Sequence, residues 1–157
     1  MEIRRARRED LDEIGHIAYQ SGWTSLTDSS LCRSMAPVLD EHYSPATLKR
    51  SLLAGELLVA ADDRDIIGFA EIRLRNDHLH MASICMSPVH RGLGVAVRMV
   101  DAVRELGPGL PISTDVLLGS GEWEHFYEQA GFFPGETIET AVGDESLVYR
   151  RWWSTAS

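Results

Sequence analysis

Apolar positions along the chain fall either in short continuous runs or at three-to-four spacing, with turn residues between the two patterns. The runs Leu57 to Ala61, Ile66 to Leu74 and His80 to Met86 read as three successive strands. The polar turn Asp62-Asp63-Arg64-Asp65 joins the first two, and Asn76-Asp77 leads into the third. Before them, Ile3 to Ala6 reads as a short strand. A helix then begins at Glu9 and ends at Gly22, with Leu11, Ile14, Ile17 and Ala18 as its apolar stripe and Glu9, Asp10, Asp12 and Glu13 at its positive end. A second helix spans Pro45 to Ala54, with proline at its first position and Gly55 after its end. Between these helices, Trp23 to Tyr43 reads as a loop with a short helix around Leu26, Leu31 and Met35.

Helical spacing returns at Ala96, Met99, Val100, Val103 and Leu106 and stops at Gly107-Pro108-Gly109. Pro111 to Leu118 is the next strand. The helix before it is a crossover, so this strand pairs in parallel with His80 to Met86. A helix over Gly121 to Ala130 follows, capped by Ser120 and closed by Gly131, with Phe132 packing back onto it. Glu136 to Val142 and Ser146 to Trp152 then form a hairpin around Gly143-Asp144. The alternation defines an α/β fold, and a length of 157 residues is read as one domain, 1–157.

Charge and cysteine content narrow the chemistry. A net charge of −9 argues against nucleic-acid binding and suits a cationic amine. Cys32 and Cys85 make neither a disulfide framework nor a metal-ligand spacing, and no metal is called for. Cys85, inside an apolar run, reads as a small buried thiol. No apolar run is long enough to span a membrane, and the charged N-terminus has no apolar region behind it, so a cytoplasmic protein is expected. A homodimer is compatible with the sequence.

The candidate chemistry begins at Ser87 to Ala96, S-P-V-H-R-G-L-G-V-A. A strand feeds a glycine-bearing turn that opens a helix, which presents free N–H groups and positive dipole to an anion. The loop is not a P-loop, because the chain's single lysine is Lys49. It is not the dinucleotide fingerprint, which needs glycine at Val97. The remaining pattern, R-x-x-G-x-A, resembles the acyl-CoA pyrophosphate loop of the GNAT-type N-acetyltransferase superfamily. H-F-Y-E-Q-A-G-F (His125 to Phe132) resembles that superfamily's F-Y-E-K-x-G-F segment, one helix and one strand later. The opening I-R-x-A-x-x-E-D-L is similar to its usual start. The resemblance covers nearly the whole chain and is weakest from Trp23 to Tyr43.

This resemblance implies a mixed central sheet of about seven strands with about four helices, and a splayed parallel pair of strands at the cofactor site. It implies acetyl-CoA as cofactor, with CoA as product. Ile84, Cys85 and Met86 would bond the pantetheine arm, the Met86 N–H polarising the thioester carbonyl. Arg91, Gly92, Leu93, Gly94, Val95 and Ala96 would hold the pyrophosphate. Ser120 and Trp123 stand where the family often has asparagine and alanine; serine keeps the capping role, and tryptophan adds bulk.

Tyr127, whose phenol is neutral at pH 7, is the residue that would protonate the departing sulfur. The base stays open among Asp115, His80 and Glu71. Trp23 and Tyr43 are either acceptor-pocket or core aromatics. His42, His78, His90 and the Trp152-Trp153 pair carry no chemical signal. The implied activity is acetyl transfer to a primary amine, of a small cationic molecule, in a direct ternary complex. The alternatives are a protein N-terminal acetyltransferase and a non-catalytic acyl-CoA-binding domain of the same fold.

Overall fold

The computed structural model describes residues 1–24, 44–87, 90, 94–119, 121–142 and 145–155. In chain order these form β1 (Glu2–Arg5), one tight helical turn (Arg8–Asp10), α1 (Leu11–Thr24), α2 (Pro45–Leu53), β2 (Leu57–Asp62) and β3 (Asp65–Leu74). β4 (Leu79–Met86), α3 (Val95–Leu106), β5 (Ile112–Leu117), α4 (Gly121–Gln129), β6 (Phe133–Val142) and β7 (Glu145–Trp153) follow. The seven strands make one mixed sheet in the order β1-β2-β3-β4-β5-β7-β6. β4 and β5 are parallel, as a crossover through α3 requires. The chain divides into two compact units, Met1–Glu71 with Ser83–Val100 and Ile72–Ala82 with Asp101–Ser157.

In the first unit, β2 lies antiparallel between β1 and β3. One sheet face, with Leu57, Val59, Ala61, Ile66 and Phe69, packs on Ile14, Ile17 and Ala18 of α1 and Leu48 of α2. Burying that apolar surface is what holds both helices to the strands. Polar contacts fix the helix ends. The Ile66 N–H donates to the Glu13 carboxylate at 3.0 Å, and the Thr47 N–H donates to Ser44 Oγ, the N-cap of α2, at 3.3 Å. On β3, a Cβ at Gly68 would stand 3.0 Å from the Cys85 carbonyl oxygen, 3.4 Å from Met86 Cγ and 3.6 Å from Val95 Cγ1. Glycine there lets β4 and the first turn of α3 approach β3 closely.

The same unit buries the Asp10 carboxylate. Arg4 Nη1 and Nη2 donate to Asp10 at 2.8 and 3.2 Å, and the Arg7 N–H donates to Asp10 Oδ2 at 2.7 Å. Burial pushes the Asp10 carboxyl up, but these donors outweigh it and hold it below the usual carboxylate range. Asp10 is only 5% exposed. Arg4→Ala is therefore expected to destabilise the fold by about 2 kcal/mol at neutral pH, measured by denaturant unfolding. Because the folded-state pKa is depressed, the wild-type contribution is present above about pH 4 and is lost as pH falls through the folded value. The variant's deficit should shrink over that range.

In the second unit, β5 sits between β4 and β7, parallel to the first and antiparallel to the second. Gly131, at φ +90, ends α4. The Phe132 N–H donates back to the Tyr127 carbonyl at 2.9 Å, and the Phe132 ring is buried 5.2 Å from the Tyr127 ring. Arg104 of α3 donates to the Ala130 carbonyl at 2.8 Å and covers the Phe132 ring, which ties α3 to the end of α4. Ser154 is bonded to Ile112 in both directions, N–H to carbonyl at 2.8 Å and Ile112 N–H to Ser154 Oγ at 3.0 Å.

Several sequence expectations need correction. α1 runs past Gly22 to Thr24, since one interior glycine costs a helix only about 1 kcal/mol. Leu106, at the last position of α3, has left the buried stripe and is 41% exposed. β4 is not wholly buried: Ala82 is exposed and Cys85 half-buried. β6 begins at Phe133 rather than Glu136, with an irregularity between Pro134 and Thr137. The expectations for residues 25–43 and for Ser120 lie outside the described residues, as do those for Arg91, Gly92 and Leu93.

Candidate active site

The first unit supplies an opening suited to an anion. α3 starts at Val95 with Gly94 before it at φ +76, and among the described residues, its chain neighbours apart, none comes within 4 Å of where a Gly94 Cβ would stand. No acidic side chain occupies the first turn of α3. A helix N-terminus of this length, with no acidic residue in its own first turn, fits phosphate groups. Val95 and Ala96 are buried beneath it, so they position the turn through packing and their backbone N–H groups. Ile84, Cys85 and Met86 lie on β4 beyond the parallel ladder, which covers Leu79↔Ile112, His80↔Ser113 and Met81↔Thr114. Thr114 Oγ1 donates to the Met81 carbonyl at 3.1 Å, where the ladder ends.

The second unit carries a polar row across β4, β5 and β7. His80 faces Ser113 across the parallel pair, and Asp115 faces Arg151 across the antiparallel one. His80 Nδ1 lies 2.8 Å from Ser113 Oγ. Arg151 Nε and Nη2 donate to the two Asp115 oxygens at 2.8 and 3.1 Å, a two-pronged ion pair. His80 Nε2 stands 3.9 Å from Asp115 Oδ2, too far for a direct hydrogen bond. His78 and Trp153 form a tilted ring pair at 5.0 Å.

Burial holds the His80 imidazole below its usual pKa. Arg151, Arg75 and His78 push the same way, and Asp115 opposes them without prevailing. His80 is therefore neutral at pH 7. Burial, followed by the Asp115 charge, raises the pKa of the nearby Tyr149 phenol.

Of the three base candidates, the row unites His80 with Asp115 and leaves out Glu71. Glu71 is buried on β3 in the first unit, where Ser51 Oγ donates to it at 3.2 Å. Tyr127 is 2% exposed on α4, its ring 5.0 Å from Phe126 and 6.0 Å from Trp123. The Trp123 side chain thus stacks over its own helix beside Tyr127. The sequence reading missed Ser113 and Arg151, which reach His80 and Asp115 only through strand pairing. The register of β7 was the one available signal, since it sets Arg151 opposite Asp115. The Trp152-Trp153 pair is split by the same register: Trp152 is buried and Trp153 joins His78.

Residues 54–134 match the family model described as "Acetyltransferase (GNAT) domain". No curated protein matches the sequence. Among solved structures, a GCN5-related N-acetyltransferase from Rhodopseudomonas palustris aligns with a TM-score of 0.79 at 17% identity, over 98% of this chain and 94% of its own. The PaiA N-acetyltransferase from Thermoplasma acidophilum, solved with coenzyme A, aligns at 0.77 and 17%, over 98% of both chains. An acetyltransferase from Bacillus anthracis, solved with acetyl coenzyme A, aligns at 0.56 and 20%, over 64% of this chain and 62% of its own. No helix among the described residues is long and apolar enough to cross a membrane.

Proposed function

The chain belongs to the GNAT acetyltransferase family, and from that premise we propose that it transfers an acetyl group from acetyl-CoA to a primary amine in a direct ternary complex. The carrying observation is the Asp115 carboxylate, oriented by Arg151 beside a neutral His80 on a partly exposed sheet face. Two of the structures similar to this chain hold coenzyme A or its acetyl form, which supports the choice of donor. Bound acetyl-CoA supplies an acyl carbon with a thiol leaving group. The first N–H groups of α3, opened by Gly94, fit its phosphates, and the backbone of Ile84, Cys85 and Met86 fits its amide-bearing arm. The Met86 N–H polarises the thioester carbonyl; such a donor is worth about two to three orders of magnitude in rate. Arg91, Gly92, Leu93 and Ser120 complete the proposed set by sequence.

The acceptor arrives as its ammonium ion and loses a first proton to solvent; Asp115 Oδ2 then accepts an N–H of the neutral amine and takes a second proton as the new C–N bond forms, when that nitrogen becomes acidic. Tyr127 Oη gives a proton to the sulfur as the C–S bond breaks. Solvent returns the proton from Asp115 and restores the phenol. A cationic acceptor suits the carboxylate and the net charge of −9.

The test is release of CoA from acetyl-CoA across a panel of primary amines, with the acetylated amine identified by mass. Amine-dependent release is expected. Binding of acetyl-CoA without amine-dependent release would instead assign a non-catalytic acyl-CoA-binding domain.

A further inference from the structure

Ser113 is fully buried on β5, and among the described residues its hydroxyl has one hydrogen-bond partner, His80 Nδ1 at 2.8 Å. With Nδ1 as its partner, the buried hydroxyl either donates to the ring or accepts from an Nδ1–H and leaves its own proton unpaired, and the second arrangement carries the cost of an unsatisfied buried donor. The acceptor within reach is the Nδ1 lone pair. The ring proton of neutral His80 is then on Nε2, the nitrogen that faces the Asp115 side. Burial together with the Arg151, Arg75 and His78 charges keeps a second proton off the ring, and Asp115 is already paired with Arg151. In that state Nε2 cannot take a proton from a substrate. It can only donate a hydrogen bond.

Resting on the reading of Asp115 as the acceptor-amine anchor, we propose that Ser113 locks His80 as an Nε2–H donor beside the Asp115 Oδ2 acceptor. The pair then selects amines that carry a carbonyl oxygen on the neighbouring carbon. In an α-amino acyl group, the nitrogen donates and the carbonyl oxygen accepts from adjacent positions. The 3.9 Å between Nε2 and Oδ2 lets both bonds converge on that group. A plain alkylamine satisfies Asp115 and leaves the His80 donor unpaired. The substrate class is an amino-acid amide or a polypeptide N-terminus, and Ser113 is a positioning residue.

Nitrogen NMR of the full-length, histidine-labelled chain reads the tautomer without any reaction. The expected His80 pattern is a pyridine-like Nδ1 and a pyrrole-like Nε2, lost or mixed in Ser113→Ala; the reverse pattern in the wild type overturns the proposal. Titration with glycinamide and with isobutylamine, its isostere without the carbonyl, should show about tenfold tighter binding of glycinamide. The preference should vanish in His80→Leu. Equal binding of the two amines to the wild type also overturns the proposal.

A glycine-headed tripeptide amide that binds more tightly than glycinamide assigns the group to a polypeptide. Equal binding of those two assigns it to a small derivative, and either outcome supports the α-amino acyl class. These readouts are independent of turnover, so absence of amine-dependent CoA release would refute the transferase reading while leaving the tautomer and the binding preference to stand or fall separately.

Discussion

Tyr127→Phe should lower turnover about 100-fold while acetyl-CoA binds as before. The substitution keeps the ring, which sits edge-on to Phe126 at 5.0 Å and to Phe132 at 5.2 Å, so the packing at the end of α4 is preserved. What it removes is one oxygen and the proton it would give to the sulfur. A thiolate leaves without help more readily than an alkoxide, which is why some activity should remain. Steady-state kinetics beside a thermal melt separates the two effects: kcat falls and the melting temperature hardly moves. Unchanged kcat would take Tyr127 out of the mechanism and leave it as a core aromatic.

The second large effect is expected at Asp115. Asp115→Asn keeps the shape and one oxygen but removes the charge that pairs with Arg151 and that, in the proposed mechanism, holds the acceptor amine. Charge-assisted bonds contribute roughly twice what neutral ones do, so kcat/KM for the amine should fall about 30-fold or more, with KM for acetyl-CoA unchanged. Loss confined to acetyl-CoA binding would instead mean that Asp115 supports the fold around β5. Arg151→Lys distinguishes orientation from charge, because lysine cannot make the two-pronged contact seen at 2.8 and 3.1 Å. It should recover part of the binding and little of the rate.

Much of this architecture is legible in local pattern. The runs starting at Leu57, Ile66 and His80, the stripe from Ala96 to Leu106 (its last position excepted) and the glycine after α4 each have a nearest-neighbour cause. The crossover rule then yields the parallel pairing of β4 with β5. Burial of β4 was harder to read: eight mostly apolar residues look uniformly internal, yet alternation turns His80 toward Ser113 and leaves Ala82 exposed. Gly22 lies inside α1, whereas Gly55 and Gly131, past the ends of α2 and α4, turn the backbone to positive φ.

The site was half legible. Tyr127 and the loop before α3 sit in contiguous motifs. His80 and Asp115 could be named from their strands, but their hydrogen-bond partners Ser113 and Arg151 could not. Each is far away in sequence and arrives through strand register. No local pattern encodes a histidine tautomer.

Gly68 carries a consequence for how this sequence can change. Its missing Cβ faces a backbone carbonyl, that of Cys85, as well as the side chains of Met86 and Val95. Trimming Val95 could make room beside a larger residue, but no substitution shortens a carbonyl. Substitution at position 68 should therefore be disfavoured as long as β4 and α3 keep their places, and tolerated best beside smaller residues at 86 and 95. A library randomised at all three positions should return mostly glycine at the first, and smaller residues at the other two wherever it does not.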